Sequence, residues 1–202
     1  MRYRELLREG DTSEEISSAA AIIKQECQPF LSEVHNPLSL YRGMDRGRNN
    51  GDILRYKTSH LDGRRPMAMG VDLQEIVNEY FTETFGHPFR NGVLAIGNKS
   101  HTGTFGTSHW IFPKGKFEFL WSKKIDDLNF HRSMILPLNR VIIPGDERIK
   151  NRVYSGLESL NYQTTDLDEA IVSFNEIMLW CEGYYAIEWN PKYEQPLKDF
   201  LK

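Results

Sequence analysis

The chain has no surplus of positive charge: 25 lysines and arginines stand against 28 acids, for a formal net charge of −3. That balance argues against nonspecific binding to nucleic acid or to an anionic membrane, both of which draw on a basic excess. There is no apolar run of about 18 residues, so no transmembrane helix is expected. The start, Met1-Arg2-Tyr3-Arg4-Glu5, lacks the apolar stretch of a signal peptide. Cysteine is scarce as well. Cys27 and Cys181 have no metal-binding spacing and read as free thiols in a reducing, cytoplasmic setting. The histidines His35, His60, His87, His101, His109 and His131 are scattered, without zinc spacing. No phosphate-binding glycine loop follows a strand and opens a helix. Internal repeats, low-complexity segments and linkers are also missing.

What remains is a chain of 202 residues that is 40% hydrophobic and 12% aromatic, enough for one domain with its own core. Thr12-Ser13-Glu14-Glu15 has the form of a capping box. Ile16, Ala19, Ala20, Ile23 and Cys27 then recur at helical spacing, ending near Gln28 before Pro29. A short helical turn through Phe30 and strands over 39–42 and 53–58 follow. Asp72 opens an amphipathic helix with Leu73, Ile76, Val77, Tyr80 and Phe81 on one face, closed by Gly86.

Later the pattern turns to strands. Val93-Leu94-Ala95-Ile96 is an apolar run fit for a buried strand. His109 to Phe112 and Lys116 to Trp121 flank Pro113-Lys114-Gly115, which reads as hairpin punctuation. Val141-Ile142-Ile143 is another apolar run, and Thr165 or Asp166 caps a helix with Leu167, Ala170, Ile171 and Phe174. Glu176 to Leu179 and Tyr184 to Trp189 read as strands joined through Gly183, with a tail helix over 194–202. The expected class is α+β: one domain with a helical part over 1–36, a mixed core over 37–193 and the tail.

Two of these strands carry one charged residue each beside apolar neighbours, in Leu40-Tyr41-Arg42-Gly43 and Glu176-Ile177-Met178-Leu179. Charged groups are rarely buried unless paired or used. The first stretch resembles the opening signature of the ADP-ribosyltransferases of the arginine–serine–glutamate class. The second, running on to Gly183-Tyr184-Tyr185-Ala186-Ile187, resembles their last. The resemblance implies split antiparallel sheets with N-terminal helices, and NAD as substrate. It implies that Arg42 grips the NAD phosphates, a task suited to a planar, permanently charged fork. It further implies that Glu176 stabilises an oxocarbenium-like transition state.

The middle signature, serine–threonine–serine on a strand, has two registers: Phe105-Gly106-Thr107-Ser108, or Gly97-Asn98-Lys99-Ser100 after the 93–96 strand. Neither holds the complete motif, and Phe174 stands where the family has a second acid. The implied site is Glu176 and Ser100 as catalytic residues, with Arg42, Tyr41, Gly43, Asn98, Thr107 and Ser108 around NAD. The wider pattern resembles proteins of tailed bacteriophages. It is carried by Cys27-Gln28-Pro29-Phe30, Leu40 to Gly43, Arg64-Arg65-Pro66, Ile111 to Gly115 with Trp121-Ser122, and Glu176 to Tyr185.

Plainer readings stand beside these. Arg42 can pair with a loop carboxylate such as Asp45, and Glu176 can be a surface acid at a helix end. Arg46, Arg48, Arg64 and Arg65 suit solvated loops as well as a phosphate grip. Tyr184 or Tyr185 can stack on nicotinamide or face the core. Two functions follow. One is an enzyme that transfers ADP-ribose from NAD to a host protein or other acceptor, in host cytoplasm; it requires Arg42 and Glu176 in one cleft. The other is a module of the same fold without catalysis, in the virion or bound to a host protein. A glycosidase or nuclease using Asp126 and Asp127 has little support, because adjacent acids on a strand face opposite ways.

Overall fold

The computed structural model describes residues 2–45, 52–63, 69–136, 142 and 145–202, with side chains from residue 13 onward. Helices α1 (Arg2–Glu26) and α2 (Gln28–Glu33) lead into strands β1 (Tyr41–Met44) and β2 (Leu54–Thr58). After α3 (Val71–Phe85) come β3 (Val93–Ala95), a 3-10 helix over Lys99–Phe105, β4 (Thr107–Pro113) and β5 (Glu118–Ser122). The chain ends with α4 (Glu147–Ser159), β6 (Tyr162–Gln163), α5 (Leu167–Ser173), β7 (Ile177–Trp180), β8 (Gly183–Glu188) and α6 (Pro191–Leu201). The expected α+β class holds, with two four-stranded antiparallel sheets ordered β1-β4-β8-β2 and β3-β7-β5-β6.

Each sheet belongs to its own compact unit, and each unit is assembled from separate pieces of chain. The first unit comprises Met1–Thr58, Asn98–Phe117 and Gly183–Lys202; the second comprises Ser59–Gly97 and Glu118–Glu182.

In the first unit one face of the sheet meets the helices. Phe30 of α2 packs edge-on against Phe112 and Phe117, and the Cys27 thiol lies 3.6 Å from the Phe112 carbonyl. Tyr185 donates to Glu26 of α1 at 2.8 Å. At the far end of this face Gly43 lies against the 3-10 helix. A Cβ there would collide with the Thr102 carbonyl and come 2.7 Å from Phe105 Cβ. Close backbone approach, not a turn, is what this glycine serves.

The second unit has an aromatic and aliphatic core. Leu73, Val77, Tyr80 and Phe81 of α3 meet Val153 and Leu157 of α4 and Leu120 and Met178 of the sheet. The helical period of α3 delivers those residues to one side. Gly86, in the left-handed region at φ 89°, ends the helix with its N–H on the Thr82 carbonyl. Central strand β7 is buried along Ile177, Met178 and Leu179, which explains its unbroken apolar run.

Several expectations are corrected. Thr12 does not start a helix: α1 begins at Arg2 and runs through it, because the residues before Thr12 are themselves mostly good helix formers. Helix α1 stops at Glu26, slightly before the expected end near Gln28, and the short helical turn expected through Phe30 is α2, with Pro29 in its first turn where the missing N–H costs no bond. The Pro113-Lys114-Gly115 turn does not make a hairpin. Both edges of β4 are taken by β1 and β8, so β5 joins the other sheet, and the Gly115 N–H turns to the Glu26 carbonyl at 2.7 Å. Likewise β7 and β8, adjacent in sequence, lie in different sheets. The strand expected over 141–143 falls outside the described residues apart from Ile142, which is in no strand. Arg46, Arg48 and Arg64-Arg65-Pro66 also lie outside them.

Candidate functional site

Strand register sets what the first sheet presents. Arg42 of β1 stands directly opposite His109 of β4, and His109 directly opposite Glu188 of β8. Opposed residues in antiparallel pairs project to the same side, so cation, imidazole and carboxylate form one row across three strands. By the two-residue period Thr107 and Met44 share that face, as do Arg55 and Lys57 of β2. The other face carries Tyr41, Gly43 and Ser108.

The electrostatics of the row are uneven. Arg42, Arg55 and Lys57 are set against Glu188 on this face. Arg55 reaches Glu188 at 3.8 Å, with the two side chains 18% and 30% exposed. His109 is fully buried. Its Nδ1–H donates to the Thr107 carbonyl at 2.8 Å, since a carbonyl only accepts, and its Nε2 makes no hydrogen bond. Burial lowers its pKa, helped by the positive charge of Arg55 and Lys57 and opposed by the Thr107 bond and Glu188. His109 is therefore neutral, with an unshared lone pair on Nε2.

The two registers of the middle motif come together. Ser108 Oγ lies 2.5 Å from Thr102 Oγ1 and 3.2 Å from the Lys99 carbonyl, which also accepts from Thr102. Asn98 Oδ1 accepts from the Ser100 N–H at 2.9 Å and opens the 3-10 helix, and Ser100 is exposed. The Lys99 ammonium sits 3.4 Å from the centre of the Trp189 ring. Of the residues expected around NAD, Thr107 shares the Arg42 face, whereas Tyr41, Gly43 and Ser108 lie on the opposite one.

Glu176 belongs to the second unit and Arg42 to the first. Glu176 immediately precedes β7, its N–H on the Asp126 carbonyl at 2.7 Å. Its carboxylate accepts from Arg90 Nη1 at 2.6 Å, with the two side chains 13% and 4% exposed. It is neither at the surface nor open. Burial raises its pKa, with the Arg90 charge opposing. Tyr162, held above the usual phenol range by burial and by the Glu176 charge, adds to this polar spot inside the core. Phe174 caps α5 in the left-handed region at φ 60° and is exposed.

Sequence reading missed Arg90, His109 and Glu188 as site residues. Arg90 lies in an unremarkable Phe-Arg-Asn turn, and His109 and Glu188 acquire meaning only once their strands are paired. Among the described residues no group of three or more histidines, cysteines and acids is arranged to hold a metal ion, and no helix is long and apolar enough to cross a membrane. Compared with protein-family models, curated proteins and solved structures, the chain matches none.

Proposed function

We propose that this protein is an ADP-ribosyltransferase-like enzyme of phage type. It binds NAD on the Arg42 face of the first sheet, cleaves the nicotinamide–ribose bond and passes ADP-ribose to a host acceptor in the cytoplasm. The observation that carries the reading is the concentration of Arg42, Arg55 and Lys57 on one sheet face of a chain whose net charge is −3. Such a face suits a dianionic diphosphate, and a guanidinium fork grips phosphate oxygens in pairs. Thr107, on the same face, suits a hydroxyl of the same dinucleotide.

A second reading, a virion component or host-binding module of the same fold, draws on one observation: the carboxylate of Glu176 is taken up by Arg90. Nicotinamide release and NAD affinity, measured on the purified protein with bacterial lysate as acceptor source, separate the two. The enzyme reading expects release, and NAD binding weakened about tenfold or more in Arg42→Ala, the loss of a charged hydrogen bond. Neither release nor binding leaves the module.

A further inference from the structure

Strand β2 is an edge of the first sheet: among the described residues it pairs with β8 alone. We propose that this edge is a docking surface for an extended, acidic segment of a partner protein, which joins the sheet as a further strand. Docking of this kind goes beyond the NAD reading and needs no NAD.

Strand register fixes which backbone groups of β2 point outward. The Gly183 carbonyl accepts from the Lys114 N–H at 2.9 Å, on the β4 side of β8. Gly183, and by the two-residue period Tyr185 and Ile187, therefore turn their N–H and C=O groups toward β4. Their partners on β2 are Thr58, Tyr56 and Leu54. In an antiparallel ladder such partners turn their backbone groups away from each other. Leu54, Tyr56 and Thr58 thus offer N–H and C=O groups to the open side of β2, while Arg55 and Lys57 bond to β8. Tyr56, Lys57 and Thr58 are exposed. A row of alternating donors and acceptors at an exposed edge is what an added strand matches.

Side chains along this edge select the occupant. Lys57 is exposed, and among the described residues no carboxylate lies within ion-pair distance of it. Arg55, on the same face, already meets Glu188 at 3.8 Å, so the charge left to answer is that of Lys57. The other face carries Tyr56, which is 47% exposed. Its ring lies 5.3 Å from that of Tyr185, and the Lys114 ammonium lies 5.3 Å from its centre. A segment laid along β2 places alternate residues beside Lys57 and beside Tyr56. The matching chemistry is a carboxylate at the first position and an apolar or aromatic side chain at the second.

A second copy of this chain matches poorly. Two β2 edges paired about a two-fold axis through Tyr56 set Arg55 of each copy directly opposite Lys57 of the other, and like charges so placed repel. Lysine on an edge strand is a common guard against self-pairing. An acidic segment passes that guard, because its charge is of the opposite sign.

The test uses blocked, fluorescently labelled peptides of about six residues, the length of an ordinary strand, in which Glu alternates with Val, Thr or Tyr. Binding to the purified protein is read by anisotropy, and its place by amide hydrogen exchange. Wild type is expected to bind and to gain protection at the Leu54, Tyr56 and Thr58 amides, whereas the Lys57 amide, bonded to β8, is protected with or without peptide. Thr58→Pro removes an outward N–H without touching the β8 ladder and is expected to weaken binding about tenfold. Lys57→Glu is expected to weaken it about tenfold or more, and to bind peptides that carry Lys in place of Glu. Lys57→Ala, with a smaller expected loss, covers a failure of the reversed charge to fold. Undiminished binding in Thr58→Pro and Lys57→Glu, or no binding to wild type, overturns the docking surface. Protection of the same amides that grows with protein concentration in the absence of peptide, with a doubled mass in sedimentation, gives the edge to a second copy and overturns it as well.

Discussion

Each unit of this protein contains an arginine–glutamate pair, and the two pairs are physically unlike. In the first, Arg55 and Glu188 stand 3.8 Å apart on a partly open sheet face. In the second, Arg90 and Glu176 close to 2.6 Å beside Met178 in an aromatic core. Desolvation makes the difference. A partly exposed pair keeps part of its water, and its attraction is screened, so it contributes little to stability. A buried pair has given up its water, and each partner is needed to make the other tolerable.

The largest expected effect breaks the second pair. Arg90→Met alone, or Glu176→Leu alone, should destabilise the protein by about 3–5 kcal/mol, because each leaves an uncompensated buried charge. The double variant should return to within about 1 kcal/mol of wild type, or exceed it, since two apolar side chains fill the space without a desolvation penalty. Urea titration of the four proteins checks this. Independent, additive losses would show that the two groups do not depend on each other.

A middle-sized effect concerns His109 and acid. Burial holds its pKa below the ordinary value, so the unfolded chain takes up a proton before the native state does. Stability from this group is complete above the unfolded pKa of about 6.5 and is lost as pH falls through the lower folded value. Denaturation at pH 7.5 and 5.5 should show wild type losing more stability than His109→Leu over that interval. Equal losses would mean that His109 is protonated as readily folded as unfolded. Glu26 acts in a separate window: hydrogen bonds from Lys114 and Tyr185 lower its pKa from 4.5, so its share is lost only at more acidic pH.

The smallest expected effect lies at the surface of the second unit. Lys123 and Glu169 meet at 2.7 Å but are 52% and 48% exposed. Lys123→Ala should change stability by less than about 0.5 kcal/mol, and added salt should erase what difference there is. A loss comparable to that of the Arg90 variant would mean that solvation is not what separates the exposed pairs from the buried one.

Much of the local structure was legible before any folding. The face of α3 was in the spacing of Leu73, Val77, Tyr80 and Phe81, and its end was in Gly86. The strand at 93–95 and the one at 177–180 announced themselves as apolar runs. Helix α4 was overlooked although its signal is present: Ile149, Val153 and Leu157 recur every four residues behind an Asp146 whose side chain accepts from the Arg148 N–H. Just ahead of it, Val141-Ile142-Ile143 has the apolar pattern of a strand.

For the candidate site, Arg42 and Thr107 were visible as chemistry at strand ends. His109 looked like one of several scattered histidines, and Glu188 like the polar end of a strand. No local pattern links residues 42, 109 and 188. Their alignment exists because β4 is paired on both sides, by β1 and by β8. The same pairing sent β5 away from its apparent hairpin partner.

The amino-acid sequence by itself determined the α+β class, the helix faces and most strand positions, since these rest on backbone preferences and side-chain period within a few residues. Tertiary structure alone decided which strands are neighbours, and with that which charges share a face. It also decided which of two glutamates, each beside an apolar strand, was drawn out of water onto a buried arginine. Burial and register depend on residues far apart in the chain, so they exist only once the sheets are assembled.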